Sequence, residues 1–155
     1  MPHLFSGFTG IFAGLATLVV VWSIARVMTK GRAFNFDAPG EKGSFEKLLP
    51  VYLRLAEFIL GLAAGSIVLL VGSSAFHAAG RLPWVFASPL FTLALSIVYG
   101  ILFMVFLISD YEDDRHQPGS GSYTRFKYVR NRALGFSGLI CFCVVYVWLI
   151  VIVTR

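Results

Sequence analysis

Glu57 and Arg54 stand three residues apart at the start of a long apolar stretch. On a helix, residues three or four apart are neighbours. Gly61 and Gly65 follow Glu57 at offsets of four and eight, so they share its face. A carboxylate at membrane depth is costly, and such groups mark proton relays, cation sites or ion pairs. The expectation is that this face turns into a helix bundle. Glu57 and Arg54 then form an ion or proton site, or Glu57 pairs with Arg54, Arg130 or Arg132.

A second group is Asp110, Glu112, Asp113 and Asp114. Their oxygens suit a divalent cation, but the spacing is not that of a calcium loop. Carboxylates at the C-terminal end of a helix oppose its dipole, so basic neighbours are needed. Arg125, Lys127, Arg130 and Arg132 follow after the turn Pro118-Gly119-Ser120-Gly121-Ser122. The reading is charge pairing on a cytoplasmic charged surface made by these eight residues, with no metal.

Other reactive residue types are sparse. His3 and His77 fall near one predicted surface, but neither lies at mid-membrane, where helical bundles usually place haem ligands. Cys141 and Cys143 are two apart on a helix and point to different sides, so no disulfide framework follows. No nucleophile elbow, phosphate loop or zinc-binding helix motif is present. The sequence implies no cofactor, points away from an enzyme and carries no motif specific enough to assign a family.

The elements that must position these groups are set by apolar runs. Hydrophobic residues make up 57% of the 155-residue chain and charged residues only 14%, against about 25% charged in soluble domains. Leu4–Ala25, Phe58–Gly80, Leu82–Ser109 and Ala133–Thr154 contain no Asp, Glu, Lys or Arg. Each exceeds the roughly 20 residues needed to cross a bilayer core. The fold class is an all-α integral membrane protein, a four-transmembrane-helix antiparallel bundle forming one domain, 1–155. The spans are placed at 4–28, 55–76, 84–108 and 133–153, with loops 29–54 and 109–132. Phe45, Leu48, Leu49 and Tyr52 recur at helical spacing, which predicts a short interfacial helix before the second span. Pro50 is expected to bend that junction. The first span is read as retained, because no basic segment precedes it and no cleavage pattern follows it.

Charge sets the expected orientation. Eleven of the thirteen Lys and Arg residues lie in loops one and three or at their flanks, leaving Arg81 and Arg155 opposite. By the positive-inside rule both loops are cytoplasmic and both termini outside. The basic loops sit near anionic lipid, so no nucleic-acid partner is needed. The expected location is a bacterial plasma (inner) membrane.

Small residues at four-residue spacing predict close helix crossings: Gly10 with Gly14, Gly61 with Gly65, and Ser96 with Gly100. The functional expectation is a non-enzymatic polytopic membrane protein acting by helix packing. It would be a homo-oligomer or an accessory subunit beside other membrane subunits. The alternative is a homo-oligomeric ion channel or pore with Glu57 and Arg54 at its cytoplasmic mouth. A third reading is a lipid- or quinone-acting enzyme using Glu57 with the acidic cluster.

Overall fold

The computed structural model describes residues 2–29, 44–72, 86–116 and 123–154, with side chains described for 10–29, 48–72, 86–116, 123–152 and 154. These residues form α1 (Pro2–Met28), α2 (Ser44–Val71), α3 (Ala87–His116) and α4 (Arg125–Val153). All four are long and apolar enough to cross a membrane, with mean hydropathies of 2.0, 1.9, 2.6 and 2.5. A 27-residue helix is roughly 40 Å long, more than the hydrocarbon core requires.

The side chains agree with lipid as the surrounding solvent. α1 is apolar on every face, the pattern of a helix that never meets water along its middle. Leu69 of α2 is 75% exposed and Phe12 of α1 is 68% exposed. Water would penalise such a surface, since soluble monomers rarely expose large contiguous apolar patches.

The helices run past the apolar spans at the charged end. α2 begins at Ser44 and continues through Pro50 without a break. The ring at Pro50 removes one backbone hydrogen bond, and the helix passes it. α3 reaches His116 and α4 begins at Arg125, so most of the expected loop 109–132 is helical. Thr124 starts α4 in an extended conformation, and its hydroxyl accepts from the Lys127 N–H at 3.4 Å. That cap satisfies one of the orphan donors of the first turn.

α3 and α4 form the central pair, and α1 packs on both. α2 leans mainly on α3 and touches α4 less. Two small clusters fill the interior: Ala63, Leu93 and Val145, and Tyr99, Leu134 and Cys141.

Glycine and hydroxyl groups set the spacing of the central helices. A side chain on Gly10 would come within 2.5 Å of the Ser88 carbonyl oxygen, and one on Gly14 would collide with Leu95. α3 lends three hydroxyls to these crossings. Tyr99 donates to the Gly14 carbonyl at 3.2 Å and Ser96 to the Gly138 carbonyl at 2.7 Å, while the single Thr92 hydroxyl proton is shared between the Ser88 carbonyl of its own helix at 3.0 Å and the Gly10 carbonyl at 3.3 Å. A glycine exposes its carbonyl to a neighbouring helix, and the carbonyl has a second lone pair to offer. Gly100 is filled by Leu60 of α2, 3.0 Å from where its Cβ would be.

The face of α2 turned to the bundle is not the one expected. Ala56 and Ala63 are buried, and Ile67 packs on the Ala63 cluster. Ser66 hydrogen-bonds to Tyr146 of α4. Glu57, Gly61 and Gly65 are exposed, and nothing lies within 4 Å of a Cβ on either glycine. Ala63 sits about 200° around the helix from Gly61. α2 carries two small-residue stripes, and the alanine stripe forms the contact.

Candidate functional site

The charged end of the α3–α4 pair is built around Asp110. Its side chain is only 4% exposed. Arg130 Nη2 donates to Oδ2 at 2.7 Å, and Asn131 Nδ2 donates to the same oxygen at 2.8 Å. Lys127 Nζ lies 3.4 Å from the other oxygen and 2.9 Å from Asp113. The Arg130 guanidinium also sits over the Phe106 ring, 4.0 Å from its centre. The carboxylate is therefore satisfied by charge-assisted hydrogen bonds, which a buried anion requires. Tyr123 is buried beside this network and hydrogen-bonds to Asn131. Burial pushes its phenol well above the ordinary range, so it stays protonated.

Arg125 has a different task. Its Nη2 donates to the Arg26 carbonyl at 2.6 Å, and its Nε approaches Thr29 Oγ1 at 3.4 Å. Arg26 and Thr29 end α1, so a cation from α4 caps the negative end of that helix. Glu112 is exposed, and Asp114 is half-buried.

Arg132 is the fourth basic residue of α4. It makes no ion pair among the described residues, and its guanidinium lies over the Phe136 ring at 5.6 Å. It lines a cleft of about 420 Å³ between α2 and the α3–α4 pair. Tyr52, Tyr128, Asn131 and Arg132 line the end of the cleft near the charged network, whereas Ile59, Gly100, Phe103 and Leu139 line the part deeper along the helices. Leu55, Phe136 and Leu139 are exposed on its walls, so it opens sideways to the surroundings of the bundle. No part of the sequence reading singled out this cleft. Arg132 and Phe136, four residues apart on one helix, were the available signal.

Glu57 and Arg54 are both exposed, and neither makes an ion pair within 4 Å among the described residues. Glu57 lies on the face of α2 away from the cleft. Among the described residues, no three His, Cys, Asp or Glu side chains gather as metal ligands. Glu57 is therefore not brought together with the acidic cluster. His116 is exposed, while His77 and the side chain of His3 lie outside the described residues. Cys141 is buried and Cys143 exposed.

The geometry thus consists of a satisfied charge network, a helix cap, a lateral cleft headed by one arginine, and a vacant glycine face. No family model, curated protein or solved structure matches this chain.

Proposed function

We propose that the chain is a non-enzymatic multi-pass membrane component that works by helix packing. It acts as a homo-oligomer or as an accessory subunit of a larger membrane complex, with α2 as the docking helix. The observation that carries this reading is the contrast among the glycines. Gly10, Gly14, Gly100, Gly135 and Gly138 all meet atoms of neighbouring helices, whereas Gly61 and Gly65 meet nothing. In lipid, apolar side chains give little drive for association, and small residues that admit a second backbone supply it.

In this reading the four helices alternate in direction as an antiparallel bundle. Supporting contacts are Ser96 with Gly138 and Asp110 with Arg130, which run in opposite senses along α3 and α4. The first turns of α2, Ser44 to Arg54, lie in the interface, and the basic end faces the cytoplasm of a bacterial cell. Both termini lie outside.

The test is gentle extraction followed by native mass measurement. Wild type is expected as a defined oligomer or mixed complex, and Gly61→Leu with Gly65→Leu as the single folded chain. A wild type that runs as a monomer at every detergent concentration and in intact membranes rejects the reading.

Glu57 favours a second reading. It shares the vacant face and has no ion-pair partner among the described residues. In a ring closed through α2, the Glu57 and Arg54 side chains of successive copies form a charged collar, the selectivity element of a channel. Glu57→Gln then changes ion selectivity in reconstituted bilayers. Unaltered selectivity removes Glu57 as a filter.

A further inference from the structure

We propose that the lateral cleft between α2 and the α3–α4 pair binds one anionic phospholipid, its phosphate on Arg132 and an acyl chain along the apolar part. Three observations carry this. The first is charge. Arg125 caps α1, and Lys127 and Arg130 are engaged by Asp110 and Asp113. Arg132 keeps its full charge uncompensated among the described residues and lines the cleft. A guanidinium offers a planar fork of donors that matches a phosphate better than an ammonium does.

The second is polarity along the cleft. Its polar lining lies at the end that carries Asp110 and Arg130, the level of the head groups for helices of this length. The deeper lining is apolar, through Ile59, Phe103 and Leu139. Ser96 also lies there, but its hydroxyl already donates to the Gly138 carbonyl. A ligand polar at one end only is therefore accepted, and one polar throughout is not.

The third is access and size. The exposed walls at Leu55 and Phe136 open the cleft toward the bilayer, the route by which a lipid arrives. About 420 Å³ falls within the range of ligand sites, enough for part of one chain. The cleft lies on the face of α2 opposite Gly61 and Gly65, so this proposal and the assembly reading stand or fall separately.

The experiment uses the full chain, delipidated in mild detergent and titrated with phosphatidylglycerol or phosphatidylcholine, with bound lipid counted by native mass spectrometry. The expected result is one phosphatidylglycerol per chain, held about tenfold more tightly than phosphatidylcholine, whose choline cation sets a like charge beside Arg132 and offsets the pull of its phosphate. Arg132→Gln removes that preference, and Arg54→Gln, a basic residue at the same end outside the cleft, leaves it intact. Ile59→Trp fills the cleft and reduces retention of both lipids. Equal retention of the two lipids by wild type overturns the proposal. So does a preference that survives Arg132→Gln, or one lost equally in Arg54→Gln, which reports diffuse charge. If Arg132→Gln fails to fold, Ile59→Trp decides, because unchanged retention places the lipid elsewhere.

Discussion

Arg130 of α4 holds Asp110 of α3 at 2.7 Å, closing the charged end of the central helix pair. The same carboxylate oxygen takes a second hydrogen bond from Asn131. Two consecutive residues of α4 are thereby fixed against one position of α3, which sets the register of the pair.

Asp110→Ala leaves Arg130 and Asn131 without their acceptor in a partly buried setting. The expected loss is about 3 kcal/mol, read as a lower thermal unfolding midpoint in detergent. Asp110→Asn keeps an acceptor oxygen and is expected to recover part of it. A midpoint unchanged by Asp110→Ala shows that the network contributes nothing to stability.

The α3 hydroxyls provide a graded series. Ser96→Ala and Tyr99→Phe each remove one interhelical hydrogen bond to a glycine carbonyl, and Thr92→Val removes a hydroxyl shared between the Ser88 carbonyl of its own helix and the Gly10 carbonyl. Such bonds within membranes average about 0.6 kcal/mol. Equilibrium unfolding of each variant should show a small loss, with the Thr92 and Ser96 changes close to additive. Losses above about 3 kcal/mol would point to cavity formation instead.

Gly10→Ala presses a methyl toward the Ser88 carbonyl, a backbone atom that cannot swing aside. The cost of such overpacking is roughly 1–3 kcal/mol. Gly61→Ala meets open space and should leave the isolated chain's midpoint unchanged to within about 0.5 kcal/mol. Measuring the two side by side separates glycines used within the chain from those left vacant.

Ser137 is fully buried, and its hydroxyl has no hydrogen-bond partner among the described residues. Removing an unsatisfied buried hydroxyl relieves a desolvation cost. Ser137→Ala is expected to raise the unfolding midpoint, by about 1 kcal/mol in free energy. A clear fall instead would show that the hydroxyl has found a partner.

Sidedness is checked by labelling. Single cysteines in place of Lys42 and Ser120, in a background with Cys141→Ala and Cys143→Ser, should react with an impermeant maleimide from the same side of the membrane. Ala79→Cys should react from the other side.

The existence of the helices was legible in the sequence, because uncharged runs of this length have few other uses. Gly10 and Gly14 were singled out by their four-residue spacing, and the structure places Ser88 and Leu95 of α3 against them. The Gly61–Gly65 and Ala56–Ala63 stripes of α2 both admit a close neighbour, and spacing alone cannot choose between them. The choice is made by partners: Leu60 fills Gly100 and Ser66 reaches Tyr146, which turns the alanine side inward. Tyr99 escaped notice although it continues the hydroxyl series of Thr92 and Ser96 at helical spacing. An aromatic residue in a membrane helix reads first as an interfacial anchor. Of the cleft only the Arg132–Phe136 spacing was legible, because its walls come from three separate helices.

The first helix finds its partners late in the chain. α1 packs on α3 and α4, α2 leans mainly on α3, and among the described residues the first two helices do not form a closely packed pair of their own. The leading hairpin is therefore held mainly through its partners, and its order within the bilayer depends on the presence of the second half of the chain.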